Sequence, residues 1–192
     1  MSIFTRSRSH ALVRVAVILM ASAGSLLAAT SKNQAPRDPA HYEAWLTKEA
    51  RHQLVMLPWL TIFDNLEYKV EGTKVVLMGQ VVRPVLKDDA GRAVKGIEGV
   101  TEVDNQIQVL PPSEMDWQIR RAEYRAIYGF AGLWKYAMGA LPPVHIVVDN
   151  SRVTLYGVVD SQADKNLIEL RAKTVPDVFS VTDNLQVAPS GK

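Results

Sequence analysis

Apolar and polar residues alternate along Val75-Val-Leu77-Met-Gly79-Gln-Val81, which puts Val75, Leu77, Gly79 and Val81 on one face of a strand. The same alternation returns 78 residues later as Val153-Thr-Leu155-Tyr-Gly157-Val-Val159. The offset then runs on without a gap, so that Gly99 to Val109 lies over Asp177 to Val187. Between residues 70 and 109 eleven positions match their partners, among them Val70, Lys87, Lys95, Val100, Val103 and Val109. A repeat of this length predicts one small unit used twice. Each copy opens with two extended runs around a polar centre, Glu71-Gly72-Thr73-Lys74 and Asp149-Asn150-Ser151-Arg152, the pattern of a hairpin whose turn accepts positive φ. Gly79 and Gly157 sit within the buried face, where a missing side chain predicts close approach of another backbone or helix.

Helical spacing surrounds these strands. In the first unit a helix is expected from about Ala40 to Leu57, stopped by Pro58. A second helix follows Pro84 with Leu86, Ala90, Ala93, Val94 and Ile97 on one face, weakened by about 1 kcal/mol each at Gly91 and Gly96. Gly99 ends it, and Val100 to Val109 reads as a strand. The second unit repeats this order with a longer first helix, from Glu114 or Asp116 to Met138, and a second helix opened by Ser161 and Asp164 as a capping box with Asp in place of Glu. Asp177 takes the place of Gly99, and aspartate also accepts a left-handed turn. The fold class is therefore α+β: two tandem αββαβ units, residues 42–111 and 112–188, each a three-stranded sheet with two helices on one face. Units of this size have thin cores, so the two are expected to pack on each other.

The N-terminal end adds a location. Arg6, Arg8 and Arg14 precede an apolar run from Val15 to Ala29, the layout of a secretory signal over residues 1–29, shorter than the roughly 20 residues that span a bilayer. Leu27 is a poor residue near the cut, so a retained N-terminal anchor is the alternative. Residues 30–41, with Pro36 and Pro39, read as a disordered lead-in. The expected location is periplasmic or secreted. The chain has no cysteine, which excludes disulfides, thiol chemistry and a lipid anchor on cysteine. Removing the leader takes three arginines and no acid, so 22 Lys and Arg become 19 against 20 Asp and Glu, a net of −1. Nothing in that charge argues for nucleic acid.

The motif Val-x-Leu-x-Gly-x-Val, then a helix, then (Gly or Asp)-Val-x-x-Val-x-(Asn or Asp)-x-(Ile or Leu)-x-Val resembles the BON domain, from about residue 45 to 188. Two copies behind a leader resemble the periplasmic osmotic-shock members of that family. The resemblance implies an αββαβ fold, an envelope location, no catalysis, no cofactor, and association with phospholipid, often through the first helix of the second copy. Two departures stand out: the paired glycines of the first unit's second helix, and Asp177.

That first helix can be phased from sequence alone. With Ile119 as origin, Ala122, Ala126, Phe130, Leu133, Ala137 and Leu141 fall within about 60° and are expected to face the sheet. Trp117, Tyr124, Tyr128 and Lys135 fall at about 140 to 180°, flanked by Arg120 and Arg121. Aromatic rings with polar tips beside cations suit an anionic membrane surface, and equally a contact with another envelope protein or with the first unit. Trp117, Arg120, Arg121, Tyr124, Tyr128 and Lys135 are thus the candidate lipid- or partner-binding residues. Gly79, Gly99 and Gly157 are structural. The histidines lack ligand spacing, so no metal site is expected, and Asp88, Asp89, Glu98, Glu102 and Asp104 read as solvated acids. No nucleophile elbow, phosphate loop or zinc signature is present, which argues against an enzyme.

Overall fold

The computed structural model describes residues 38–139 and 141–189. The leader and most of the lead-in lie outside the described residues. The first unit runs α1 (Pro39–Val55), β1 (Asn65–Glu71), β2 (Lys74–Val81), α2 (Pro84–Lys95), β3 (Glu102–Asn105) and β4 (Gln108–Val109). The second runs α3 (Glu114–Tyr128), a 3-10 turn (Trp134–Ala137), β5 (Val144–Asp149), β6 (Arg152–Val159), α4 (Gln162–Ala172) and β7 (Ser180–Val187). In both, an antiparallel hairpin is joined through a helix to a strand parallel to its second member, giving the orders β1-β2-β3 and β5-β6-β7.

The last strand of the first unit is interrupted, so β3 and β4 pair separately with β2. Asn105 sits at the break, where its side-chain Oδ1 accepts from the Ile107 N–H at 3.3 Å and its Nδ2 donates to the Lys87 carbonyl at 2.8 Å. A side chain at Gly91 would come within 2.9 Å of that amide, so this glycine makes room for the Asn105 side chain and is not merely a weak point in α2. Asp183, at the repeated position, accepts from the Leu185 N–H at 2.8 Å. Both last strands are sheet edges, and in both a side chain occupies one N–H that another chain would otherwise pair with.

The repeated strand glycines have one cause. A Cβ on Gly79 would lie 2.1 Å from the Asn65 carbonyl oxygen, and one on Gly157 1.9 Å from that of Pro143. In each hairpin the start of the first strand crosses directly over the second, at φ +106° and +126°. Gly99 and Asp177 both turn left-handed, at φ +83° and +65°. At Gly99 the space a side chain would need is filled by the Tyr42 ring, whose hydroxyl donates to the Glu98 carbonyl at 3.0 Å.

Each unit has its own core. Leu46, Ala50 and Leu54 of α1 and Leu86, Ala90 and Val94 of α2 cover Val75, Leu77 and Val81. Ile119 and Ile127 of α3 and Ile168 and Ala172 of α4 cover Val153, Leu155 and Val159. The two units meet through the segment between α1 and β1. Ile62 and Phe63 pack against the second core, the Ile146 N–H donates to the Ile62 carbonyl at 2.7 Å, and His145 Nδ1 lies 2.6 Å from the Asp64 carbonyl. The buried Asp64 carboxylate holds that segment in shape, accepting from the Thr61 N–H and hydroxyl and from the Val82 N–H.

Candidate functional site

Helix α3 differs from the expected one in length and in phase. Ser113 caps its start, accepting from the Asp116 N–H. Gly129 ends it ten residues short of the expected limit, at a position where a Cβ would lie 2.5 Å from the Arg125 carbonyl. The residues expected to continue the helix form the 3-10 turn instead. Its buried face is Asp116, Ile119, Arg120, Glu123, Ile127 and Tyr128, whereas Ala122 and Ala126 are half-buried and Phe130 is exposed. Three charged residues lie on that face, and the expected stripe was turned from it by Phe130, Leu133, Ala137 and Leu141, which lie beyond the end of the helix.

Each buried charge has a different solution. Asp116 accepts from the Asn150 and Ser151 N–H groups at 3.0 and 2.8 Å, holding the β5-β6 turn, whose residues sit at φ +50° and +60°. Arg120 donates to the Val148 carbonyl at 2.5 Å, and burial lowers its pKa. Glu123 is wholly buried, neither carboxyl oxygen has a hydrogen-bond partner among the described residues, and burial pushes its pKa up to about 8.

The six candidate residues are therefore divided. Arg120 and Tyr128 are corrected from surface to core: Tyr128 is 6% exposed and donates its hydroxyl to the Val144 carbonyl at 2.5 Å, and burial raises its pKa. Lys135 is outside the helix and held by the Asp160 and Asp164 carboxylates, each at 2.9 Å, with the Tyr136 hydroxyl on the same Asp164 oxygen at 2.8 Å. Trp117, Arg121 and Tyr124 stay at the surface. Trp117 is 40% exposed and meets the Phe63 ring edge-on at 5.7 Å, so part of it belongs to the contact between units. Tyr124 is 45% exposed, resting on Tyr128 at 5.3 Å, and Arg121 reaches only to Glu114 at 3.8 Å.

Beside these three lies an open groove of about 620 Å³. One wall is Leu60, Ile62 and Phe63, the other is Tyr124 with Leu141 and Pro142, and Arg121 and Arg125 stand on it from α3. Sequence reasoning missed the linker wall and Arg125. Leu60 to Phe63 lies outside the repeated pattern, yet an apolar run after Pro58 was a signal that it packs on something; Arg125 follows Arg121 by one turn. A larger depression of about 940 Å³ lies over Gly91 and Gly96, where charges of both signs, Asp88, Arg92, Lys95 and Glu102, leave no preference for a ligand. Among the described residues no group of three His, Cys, Asp or Glu is placed to hold a metal ion, and no helix is long and apolar enough to cross a membrane.

Comparison with known proteins agrees with the repeat. Osmotically-inducible protein Y of Escherichia coli K12 is 29% identical over 133 residues, covering 64% of this chain and 61% of that protein. Two solved structures of CdsD, a structural protein of the type III secretion system of Chlamydia trachomatis, are 11% and 13% identical. They cover 76% and 75% of this chain, and 93% and 98% of theirs, at TM-scores of 0.30 and 0.26, too loose a superposition to bear on function. The BON domain profile matches residues 42–111 and again 136–189, well over half the chain, and the chain belongs to the BON domain family.

Proposed function

We propose that this is an exported, non-catalytic envelope protein that binds anionic phospholipid surfaces and supports the envelope under osmotic stress. The observation that carries the reading is the outward side of α3, where Trp117 and Tyr124 stay substantially exposed beside Arg121. Rings of this kind bury in the headgroup region while cations meet anionic lipid. Family membership and the name of the Escherichia coli relative, of which the aligned segment covers 61%, support the envelope and osmotic parts. Sedimentation with vesicles containing anionic phospholipid tests it. The protein is expected to pellet with them and the Trp117→Ser, Tyr124→Ser double variant to stay in the supernatant; equal pelleting of both would refute the site. A scaffolding role toward another envelope protein is favoured by Phe179, 76% exposed beside the β7 edge under Arg152. Loss of a protein partner, but not of vesicles, on Phe179→Ser would favour that second reading.

A further inference from the structure

We infer that the groove between the linker and α3 holds one single-chain anionic amphiphile, a long-chain fatty acid, with its carboxylate at Arg121 and Arg125 and its chain along Leu60, Phe63 and Leu141. This rests on the lipid reading of the same surface and narrows it from a membrane to a molecule.

The geometry points there in three ways. The groove, about 620 Å³, falls in the roughly 300–1,000 Å³ of pockets that take one small ligand, room for one chain and not for a diacyl lipid. Its walls are mostly apolar, so burying a hydrocarbon chain along them is favourable. Among the described residues, its only charged lining groups are two guanidinium groups one helical turn apart. Like charges at that spacing repel, and Arg121 has only Glu114 at 3.8 Å, while no ion pair is formed by Arg125 among the described residues. A carboxylate placed between them relieves the repulsion and matches the planar donor fork. Leu60, Leu141 and Pro142 also border a second cleft, about 490 Å³, lined by Leu54, Leu66 and Pro143 together with the polar Arg51, Asn65 and His145. Both units contribute, so neither unit alone would build the site.

Titration of the full chain with oleate, kept below the concentration at which it aggregates, reads the proposal by calorimetry. Saturable binding of one oleate per chain is expected, weakened about tenfold or more by Arg121→Gln with Arg125→Gln. Both side chains are exposed, and circular dichroism checks that the variant folds. Leu141→Trp, which fills the groove, should abolish oleate binding and leave vesicle sedimentation intact. Absence of saturable binding, an unchanged affinity in the double variant, or equal binding of oleyl alcohol overturns the inference. Vesicle binding without oleate binding removes this inference and leaves the membrane reading standing. Oleate binding without vesicle binding does the reverse.

Discussion

The first helices of the two units occupy the same place and solve it with different chemistry. Glu43 of α1 accepts from the Gly72 N–H at the first hairpin turn, and Asp116 of α3 accepts from Asn150 and Ser151 at the second, which sets the helices in register at an offset of 73 residues. In that register Leu46, Ala50 and Leu54 correspond to Ile119, Glu123 and Ile127, all of them buried. The strands keep an offset of 78, so the second unit spends five more residues between helix and hairpin, in the loop that carries the 3-10 turn and Leu141. One helix buries alanine where the other buries an unpartnered carboxyl group. The BON profile match to the second unit starts at residue 136, so the helix with the unusual interior lies outside the matched residues, whereas α1 lies largely within the first match. A core position can thus change chemical class while backbone, register and capping of the hairpin turn persist.

The sharpest way to test that contrast is pH. A carboxyl group with its pKa raised from 4.5 to about 8 keeps its proton in the folded state over a range where the unfolded chain has lost it. Stability therefore falls as pH rises through that window, by about 1.4 kcal/mol per unit where the difference is complete, and is flat outside it. Denaturant unfolding between pH 5 and 8 should show a loss on the order of 3–5 kcal/mol, and Glu123→Gln should remove most of the slope. A Glu123→Gln protein with the same slope as the parent would mean the carboxyl is solvated or paired in solution.

The hairpin turns give the next effect. Asp116 is buried and accepts two N–H groups from residues held at positive φ, so Asp116→Ala should cost about 2–3 kcal/mol. Glu43 is exposed and accepts one, so Glu43→Ala should cost about 0.5 kcal/mol or less. Thermal or chemical unfolding of both variants measures the difference; equal costs would show that the register drawn between the helices has no energetic meaning.

A smaller effect belongs to the contact between units. Burial lowers the pKa of His145, so below about pH 6.5 the unfolded chain takes up a proton that the folded chain refuses. Stability is lost as pH falls from that point, opposite in direction to the Glu123 effect. His145→Asn keeps a donor near the Asp64 carbonyl without the titration, so below about pH 6.5 its stability should follow the Glu123 slope alone, without the added loss in acid. An unchanged acid response would assign it to other groups.

How much of this was legible in the sequence follows from the kind of signal each part leaves. The strands were legible, because Val75, Leu77 and Val81 alternate at period 2 and recur at a fixed offset, and Gly79 announced the close crossing of Asn65. The junction was not. Ile62 and Phe63 pack on a core that begins more than 50 residues further along the chain, and no local period encodes that. Helix α3 was misphased for a physical reason: Phe130, Leu133, Ala137 and Leu141, which helped to set the expected stripe, lie beyond the end of the helix, and the burial of Asp116, Arg120 and Glu123 rests on tertiary partners or protonation that no period encodes. Of the surface stripe, Trp117, Arg121 and Tyr124 stay at the surface, while Arg120 and Tyr128 turn into the core.

Lys135 provides the smallest and most discriminating test of that division. By sequence it belongs with Tyr124 in the lipid-facing stripe, but the helix ends at Tyr128 and leaves Lys135 on a turn, where Asp160 and Asp164 hold its ammonium and raise its pKa. Its partners belong to the start of α4, and its side chain is 45% exposed, so the pairs are screened by water and salt. Lys135→Met should leave the unfolding midpoint within replicate scatter at moderate salt, and should leave vesicle sedimentation at the parent level, while Arg121→Gln reduces it. A Lys135→Met protein that sediments as poorly as the Arg121 variant would put the turn on the binding surface and move the boundary between the two faces of the second unit.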